Sequence, residues 1–429
     1  MIYYRGSTTY LGISTRSMMT SSNPVDPILL TEYEDTSVTL AEDDYSFLVS
    51  DRISKKIQLS LSPEPGAYLL NPHQHVGVIQ LPSGRMLESR PKVPFENIFY
   101  MVARSMGMPW VGGIAKLERF DDVLELIAEL FADESDHLIS RGLSRRYQEQ
   151  EDNLINIKGR IDFNEDLRLN TVLRHRTYCR YEDLTVDIPE NQVVLQTAEM
   201  LSGWRFGNKD LRARIRNITQ RLSVLSKTNF SGQIIDQFIY NRMTEHYRPV
   251  HRLCKLLLDQ ASLSEYSGMI PNPAFIIDMN KLFEKFISEA LKESVGARSF
   301  SVQNQSRVYL DTTKIYRMQP DIVIRNNRFT ALVADCKYKK LTVDQDLKSS
   351  EADMYQVLSY CTVTKSRHGV LIYPQHEVGH QKRIPIVNSS AVIQQMTVDM
   401  GGSIDDLESS IRVLANDISA LILGDSQIA

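Results

Sequence analysis

The order of sequence patterns between residues 278 and 374 constrains the fold of this chain more than any other feature. Residues 278–296 space their apolar side chains at three and four, which predicts an amphipathic helix. Three strand-like runs, a second helical segment and a further strand follow, at 299–310, 315–324, 329–338, 349–361 and 369–374. This order predicts an α/β unit in which the second and third strands form a hairpin across the turn "RNNR".

Two aspartates and a lysine are predicted to meet at one end of that hairpin. Asp321 follows Pro320 before one strand, and Asp335 lies near the end of the next. Strand side chains alternate between faces, so Asp335 and Lys337 point the same way and are costly to bury unless something pairs with them. Two carboxylates with a backbone carbonyl are oxygen ligands that Mg²⁺ accepts, and a nearby lysine can stabilise phosphate charge. The simpler alternative is a local ion pair at a sheet edge.

Three further residues on the flanking helices could complete such a site. Glu284 lies at the edge of the apolar stripe of the first helix, where it could supply another metal ligand. Gln356 and Tyr360 are four residues apart on the second helix and therefore share a face. Taken singly, Glu284 could be a solvated helix charge, and the Gln356–Tyr360 pair could be half-buried packing. Their joint order around the hairpin favours a site for phosphodiester hydrolysis.

Composition excludes several classes of protein. The chain has 429 residues, which predicts two to four domains, and 42% of them are hydrophobic. No apolar run is long enough for a membrane span, no signal peptide is recognisable, and the four scattered cysteines suit a reduced cytoplasm. The net charge of −4 argues against a chain that grips DNA strongly by itself. We therefore expect a cytoplasmic protein with no membrane association.

Charge is unevenly distributed along the chain. Residues 201–255 carry eleven Lys or Arg against three acids, with the stretch "LRARIRNITQR" as the densest part. Such a run is most often a solvated helix face, and otherwise a surface for nucleic acid or an acidic partner. Arg212, Arg214 and Arg216 could serve either role.

One short motif matches a metalloprotease pattern and is rejected. "HEVGH" at residues 376–380 fits H-E-x-x-H, which needs one face of a helix to present both histidines to zinc. Pro374 precedes the motif, Gly379 lies inside it, and strand-like runs flank it. We interpret these residues as a polar turn.

The chain divides into four predicted regions, giving an α/β (α+β multidomain) fold class. Short strands punctuated by Pro and Gly, including "YSFLVS", predict a β-rich N-terminal module, and a mostly helical middle region follows it. The α/β unit comes after the linker "SGMIPNPAF", and a strand and helix extension ends the chain. The predicted bounds are 1–95, 96–275, 276–388 and 389–429. The spacing of Ile404, Leu407, Ile411 and Leu414 predicts a packed helix or, as the alternative, a coiled coil between chains.

A set of motifs in this order resembles a known family. The segment from Asp321 to Lys337 resembles the PD-(D/E)xK nucleases, and the Q-x-x-x-Y helix resembles their RecB-like branch. "VGVIQLPSGRMLESRPKVPFENIFYMV", "LINIKGRIDF", "CRYEDLTVDIPENQVV", "FIIDMNKLFEKFI", "QPDIVI" and "VADCKY" are similar to stretches of the McrC family, the nuclease subunits of McrBC 5-methylcytosine restriction systems in phage defence. The resemblance covers about residues 76–360.

The resemblance implies a Mg²⁺-dependent DNA endonuclease subunit of a GTP-dependent restriction system. Asp321, Asp335, the Cys336 carbonyl and Glu284 would bind Mg²⁺, Lys337 would act on the attacking water, and Gln356 and Tyr360 would orient the site. Expected partners are an McrB-like AAA+ GTPase hexamer, which the middle region would bind and stimulate, double-stranded methylated DNA, and a second nuclease domain. The chain lacks a G-x-x-x-x-G-K-[ST] loop, so it is expected to bind no nucleotide.

Two alternatives to this function stay open. One is a self-sufficient RecB-like repair nuclease, which would cut DNA without any GTPase. The other is a non-catalytic activator or adaptor of an AAA+ ring, in which the acidic site matters little.

Overall fold

A computed structural model of the chain describes residues 27–51, 53–107, 123–172, 175–204, 206–261, 274–295, 300–326, 329–339, 351–375 and 382–426. The described α-helices are α1 (Glu42–Val49), α2 (Phe95–Ser105), α3 (Val123–Arg141), α4 (Phe163–Asn170), α5 (Pro189–Ser202), α6 (Lys209–Arg221), α7 (Arg248–Ala261), α8 (Met279–Val295), α9 (Glu351–Thr364) and α10 (Ile404–Ser426). None of them combines the length and the apolar composition needed to cross a bilayer.

The described strands up to residue 185 are β1 (Ile28–Thr31), β2 (Thr36–Val38), β3 (Gln58–Leu61), β4 (Tyr68–Asn71), β5 (His75–Gln80), β6 (Met86–Arg90), β7 (Arg146–Leu154), β8 (Arg160–Ile161) and β9 (Thr177–Thr185). The later strands are β10 (Ala274–Asp278), β11 (Ser301–Asn304), β12 (Val308–Tyr309), β13 (Arg317–Met318), β14 (Ile322–Arg325), β15 (Thr330–Cys336), β16 (His368–Gln375), β17 (Lys382–Pro385) and β18 (Val392–Asp399).

Two small sheets form the N-terminal part of the fold. One has the order β1-β6-β5-β10 and the other the order β2-β4-β3. Buried Leu30, Leu48 and Leu70 pack between them with Ile276, which β10 contributes from far along the chain. Gly77 on β5 has a φ of +145°, and a Cβ there would lie 2.0 Å from the Phe275 carbonyl oxygen, so the close pairing with β10 requires glycine. The first sheet is therefore complete only after the middle region has been traversed.

Helices α2, α3, α5, α6 and α7 form the middle of the molecule around a large apolar core. A three-stranded sheet of order β7-β9-β8, with α4 beside it, extends from these helices. Arg214 on α6 forms ion pairs with Glu129, Asp133 and Asp136 of α3, at 2.7–2.9 Å. From the sequence, Arg214 could have contacted either DNA or a partner ring. In the structure it joins two helices of the same chain.

The largest sheet positions the predicted site. Its strand order is β11-β14-β15-β16-β18-β17, with β15, β16 and β18 parallel and the remaining neighbours antiparallel. One face, including Ile322, Ala334 and Ile372, packs on α8 and α10. The other, including Val333 and Leu371, packs on α9. Apolar side chains on both faces explain why these strands read as continuous hydrophobic runs.

The described residues form a mixed α/β structure with several sheets, in agreement with the coarse fold prediction. The predicted strand "YSFLVS" is wrong, because these residues belong mostly to α1, whose first turn carries Glu42, Asp43 and Asp44. The last helix packs within the chain through Leu407, Ile411 and Leu414. "HEVGH" and the linker residues before 274 lie outside the described residues, and the four domain bounds stay predictions.

Candidate functional site

Asp321 and Asp335 face each other across the antiparallel pair of β14 and β15. Ile322 is paired with Ala334, so the next step of the register sets Asp321 opposite Asp335. Asp335 is only 1% exposed. One oxygen of Asp321 accepts a hydrogen bond of 2.8 Å from the Cys336 backbone N–H, and Asp321 lies within hydrogen-bonding reach of Asp335. The hairpin therefore brings together the two carboxyl groups predicted from their spacing.

Lys337 lies beside this pair, one residue beyond the end of β15. Its Nζ is 2.6 Å from Oδ2 of Asp335, and its backbone N–H donates to the Ile372 carbonyl at 2.9 Å. Oδ2 of Asp335 is buried, and its partner is the Lys337 ammonium, so the two side chains form a buried ion pair. The structure brings Lys337 to the position that the sequence predicts.

Burial and like charge together disturb the titration of these groups. Burial is the main cause that raises the pKa of Asp321 to about 8, followed by the nearby carboxylates of Asp335 and Glu284. Burial also raises the pKa of Asp335, although Lys337 opposes that rise. For Lys337, burial alone would lower the pKa, but Asp335 and Asp321 outweigh it and the pKa is raised. At neutral pH the raised pKa of Asp321 keeps one proton on the pair, so Asp335 and Lys337 balance their charges, and a bound cation would have to displace that proton.

Glu284 approaches the pair from α8. Its Oε1 accepts a hydrogen bond of 2.8 Å from the Gln305 side chain, and burial raises its pKa despite that bond. Gln305 accepts in turn from the Gln319 side chain at 3.1 Å, and its backbone N–H donates to the Asp321 carbonyl at 2.9 Å. Gln305 and Gln319 therefore connect Glu284 to the loop that carries Asp321.

The predicted Gln356–Tyr360 pair lies on α9, on the other face of the sheet. The Gln356 side chain donates to the Tyr360 hydroxyl at 2.6 Å, and that hydroxyl lies 3.4 Å from the Gln319 carbonyl. Burial raises the pKa of Tyr360, with smaller contributions from Asp335 and Asp321. The pair thus reaches the loop before Asp321, and the electrostatic influence of the carboxylates extends to it.

Five residues of this neighbourhood were missed by the sequence analysis. Gln305 and Gln319 link the elements described above. Asp353, which is buried on α9, forms an ion pair with Lys339 at 2.5 Å and accepts from the Tyr373 hydroxyl at 2.9 Å. The acid at residue 353 fits a helix N-terminal pattern, which gave no indication of its contacts with the sheet.

The residues present fit a divalent cation only if backbone and water oxygens complete the ligand set. In the ranges that the structure describes, no three His, Cys, Asp or Glu side chains are arranged to hold a metal ion. The buried Oδ2 of Asp335, facing a second carboxyl group, is nevertheless an oxygen that a cation would satisfy. Burial raises the pKa of the Cys336 thiol well above its usual value, so this residue could contribute its carbonyl and not its sulfur.

Comparisons with known proteins agree on one family. A family model described as "McrBC 5-methylcytosine restriction system component" matches residues 70–374. The Escherichia coli K12 protein "Type IV methyl-directed restriction enzyme EcoKMcrBC" is 24% identical over 320 residues, covering 69% of this chain and 90% of that protein. A solved chain from a Thermococcus gammatolerans assembly of McrB AAA+ hexamers with bound McrC has a TM-score of 0.61 at 18% identity, covering 91% of this chain and 100% of that one.

These findings correct the subunit that the sequence resemblance named. The family model is described as a component of McrBC, and the solved assembly is described by its McrB AAA+ hexamers as well as by McrC. At 18% identity the structural match shows a shared fold and nothing narrower. The McrC assignment, the DNA endonuclease function that rested on it, and the repair-nuclease and ring-adaptor alternatives are therefore not retained. The match to residues 70–374 places the chain in the McrBC family of restriction-system components.

Proposed function

We propose that this chain is a McrBC-type restriction component that holds a divalent cation between Asp321 and Asp335 and acts there on a phosphate ester. The observation that carries the proposal is the buried Asp335 carboxylate, which lies beside a second carboxyl group, that of Asp321, and forms an ion pair with Lys337. Mg²⁺ is the natural candidate, because it takes carboxylate and carbonyl oxygens and keeps several water ligands.

Each neighbouring residue has a role in this proposal. Asp321, Asp335 and the Cys336 carbonyl would hold the cation, and Glu284, which accepts from Gln305, would act on it through a water ligand. When bound, the cation supplies charge to a phosphate oxygen and lowers the pKa of a water molecule. Lys337 would place its ammonium group against the negative charge that grows on the phosphate.

Gln356 and Tyr360 would keep the loop before Asp321 in place. Their contact with the Gln319 carbonyl acts on the backbone two residues before the carboxyl group. We assign them a positioning role, because the contacts described for them are with each other and with this loop.

The partners are proposed at the level of the assembly. The Escherichia coli relative is a methyl-directed restriction enzyme, and the solved Thermococcus gammatolerans assembly consists of McrB AAA+ hexamers with bound McrC. We therefore expect this chain to act with other McrBC subunits on DNA. Its 429 residues contain no G-x-x-x-x-G-K-[ST] loop, so GTP hydrolysis in such an assembly is expected to need a chain that carries one.

Metal binding is the first test. The full chain would be titrated with Mn²⁺, followed by electron paramagnetic resonance, as wild type and as Asp335→Asn. We expect affinity to fall more than about 100-fold in the variant, because even the outer-shell partners of metal ligands contribute about 10- to 100-fold. Asp44→Asn is the matched control, since Asp44 is also a buried carboxylate but bonds to the Ser83 backbone and hydroxyl.

Hydrolysis is measured on the same proteins. Plasmid DNA and GTP would be offered side by side with Mg²⁺, each with the chain alone and with its assembled partner subunits. Loss of hydrolysis of one of them in Asp335→Asn, but not in Asp44→Asn, supports the proposal and identifies the phosphate compound on which the site acts. Equal Mn²⁺ affinity in wild type and Asp335→Asn would overturn it.

A further inference from the structure

A cavity of about 410 Å³ lies between the end of α2, helix α7 and helix α8. Its volume falls within the range of small-molecule sites in proteins. None of the residues that line it belongs to the acidic cluster of Asp321, Asp335 and Glu284. We refer to this space as the basic cavity, and its chemistry is separate from that of the acidic cluster.

Three cations line the basic cavity. Arg252 and Lys255 lie one turn apart on α7, and Lys285 lies on α8. Lys255 forms an ion pair with Asp236, whereas within the part of the chain that the structure describes neither Arg252 nor Lys285 pairs with a carboxylate. Partial burial lowers the pKa of Lys285, and although Glu289 opposes this effect, the nearby Lys255 and Arg252 add to it. These like charges are therefore close enough to repel one another, and an anion would stabilise them.

The two acids that line the basic cavity already have neighbours within the chain. Glu289 forms an ion pair with Lys292 at 2.7 Å. Asp259 lies against the backbone of Gly232, where an added Cβ would be 2.2 Å from its Oδ1, and burial raises its pKa. With Lys292 and Asp236 included, four cations face three acids. The basic cavity therefore keeps an excess of positive charge.

The Arg252 guanidinium is held at the wall of the basic cavity. One of its N–H groups donates to the Met106 carbonyl at the C-cap of α2. Gly107 has a φ of +58°, and a Cβ there would lie 2.9 Å from Nη1 of Arg252, so glycine leaves room for the guanidinium. A guanidinium has five N–H donors in a fixed fork, so donors remain for a ligand after the bond to Met106.

A buried hydroxyl group lines the same space. Ser105 is the last residue of α2 and is only 7% exposed. Its Oγ is buried and has no hydrogen-bond partner among the described residues. Buried hydroxyl groups are normally hydrogen-bonded, so an exception requires an explanation. A ligand with an acceptor oxygen in the basic cavity would supply the missing partner.

We propose that the basic cavity binds a small phosphate-class anion, inorganic phosphate or pyrophosphate, between Arg252, Lys285 and the Ser105 hydroxyl. A phosphate group near neutral pH carries close to two negative charges and several acceptor oxygens. Arginine binds such oxygens through its fork of donors, and lysine binds them as a point charge. The proposal goes beyond the proposed function, because no residue of the basic cavity has a role at the acidic cluster.

Binding is measured by calorimetric titration of the full chain with inorganic phosphate, pyrophosphate and succinate, in EDTA so that no divalent cation takes part. The test variants are Lys285→Gln, at an exposed position, and Ser105→Ala. Lys281→Gln is the control for the first, since Lys281 lies one turn earlier on α8, is 82% exposed and does not line the cavity. Ser135→Ala is the control for the second. The Ser135 hydroxyl is also buried and without a partner among the described residues, but it lies on α3 outside the cavity lining.

We expect saturable binding of phosphate or pyrophosphate, and the tighter of the two indicates how many phosphate groups the basic cavity takes. Lys285→Gln and Ser105→Ala should each weaken binding by about tenfold, because hydrogen bonds to charged groups are stronger than those between neutral groups. Both controls should keep the affinity of the wild type. Ser105→Ala should not lower Tm in the absence of the anion, because it removes a hydroxyl that has no partner. This result would separate the loss of a ligand contact from a loss of structure.

Four results would overturn the proposal. The first is the absence of saturable binding at millimolar phosphate or pyrophosphate. The second is an equal loss of affinity in Lys285→Gln and Lys281→Gln, since net charge would then explain both. The third is tighter binding of succinate than of pyrophosphate, which would assign the basic cavity to carboxylates. The last is a loss of anion binding in Asp335→Asn, which would place the anion at the acidic cluster. Metal binding at that cluster can fail without affecting any of these tests.

Discussion

Asp335 and Glu32 are both buried carboxylates, yet their surroundings differ. Asp335 begins the segment 335–338, and Glu32 contacts Tyr338 at the other end of that segment. Each is 1% exposed, but Oε1 of Glu32 accepts no hydrogen bond, whereas Oδ2 of Asp335 is paired with Lys337. Glu32 comes from the N-terminal sheet, where its other oxygen accepts from the Lys92 backbone N–H at 2.8 Å and the Tyr338 hydroxyl at 3.2 Å. Asp335 faces a second carboxyl group and the Lys337 ammonium.

The comparison shows that a buried carboxylate does not by itself indicate a metal site. Burial raises the pKa of Glu32 to about 7, so this single carboxyl can become neutral by taking up one proton. Asp335 has a like-charged neighbour and a lysine that resists its protonation. Asp321, beside Asp335, can likewise take up a proton, but it gives the site a second carboxyl group that could hold an added cation, whereas Glu32 has only the donors of Lys92 and Tyr338. Glu32 therefore has a structural role: it accepts a hydrogen bond from Tyr338, the residue after Lys337.

Substituting the two carboxylates separately gives the largest expected difference. Asp335→Asn should reduce phosphate-ester hydrolysis by more than about 100-fold, because a proposed metal ligand contributes more than its outer-shell partners. Glu32→Gln keeps the size of the side chain and an acceptor oxygen, and it should leave the rate within about threefold, since single outer contacts contribute about 1 kcal/mol. The measurement is the rate of hydrolysis at saturating Mg²⁺. Equal losses of rate in Asp335→Asn and Glu32→Gln would contradict the distinction between the two carboxylates.

Lys337 is expected to separate rate from metal affinity. Lys337→Met removes the ammonium group but keeps much of the apolar stem, so hydrolysis should slow by about 100- to 1,000-fold, as when one transition-state donor is lost. Mn²⁺ affinity should stay the same or rise, because a competing positive charge has gone. Lys339→Met is the control, since Lys339 pairs with Asp353 instead. If Lys337→Met lowers Mn²⁺ affinity as much as it lowers the rate, Lys337 instead maintains the structure of the metal site.

The pH dependence of stability distinguishes the carboxyls in the metal-free protein. Asp321 and Glu32 both have folded-state pKa values above those of the unfolded chain, about 8 and about 7. The folded state therefore binds their protons more tightly, so stability is greatest below about pH 4 for these groups and is lost as pH rises. Each group contributes a slope of about 1.4 kcal/mol per pH unit between its two pKa values.

Denaturant unfolding between pH 5 and 9 measures these slopes. Glu32→Gln should flatten the profile up to about pH 7, and Asp321→Asn should flatten it up to about pH 8. Saturating Mg²⁺ should remove the Asp321 contribution and leave that of Glu32. A profile in which Mg²⁺ also changes the Glu32 contribution would contradict the separation of the two carboxylates.

The sequence indicates the acidic cluster better than the contacts that support it. Asp321 and Asp335 are close in the chain and flank one hairpin, so their register follows from local strand geometry. The bond between Glu32 and Tyr338 spans 306 residues, and no local pattern indicates it. Strand β10 also pairs with β5 from far along the chain, with Asp278 opposite His75, and the local sequence pattern of neither strand predicts this pairing. Short polar contacts between distant segments depend on the complete packing.

Some of the errors were avoidable from the sequence. "YSFLVS" is apolar enough for a strand, but the three acids before it favour a helix N-terminus, which is what α1 has. Motif resemblance carried the family correctly to McrBC, whereas its narrower assignment to one subunit went beyond what the comparisons establish. Chemistry at a site is better argued from the contacts of Asp335 and Lys337 than from a subunit name.

Tyr33 gives the smallest expected effect and tests whether the N-terminal contact is structural. Its hydroxyl donates to the Tyr338 carbonyl at 2.6 Å, beside the bond between Tyr338 and Glu32. Tyr33→Phe leaves that carbonyl without this donor, so the free energy of unfolding should fall by about 1 kcal/mol. Tyr45→Phe, at a half-exposed ring that packs on Tyr68, is the matched control and should be nearly neutral. Mn²⁺ affinity should be unchanged in both variants. If Tyr33→Phe weakens Mn²⁺ binding by tenfold or more, the N-terminal sheet sets the position of Lys337, and the two ends of this segment act as one site.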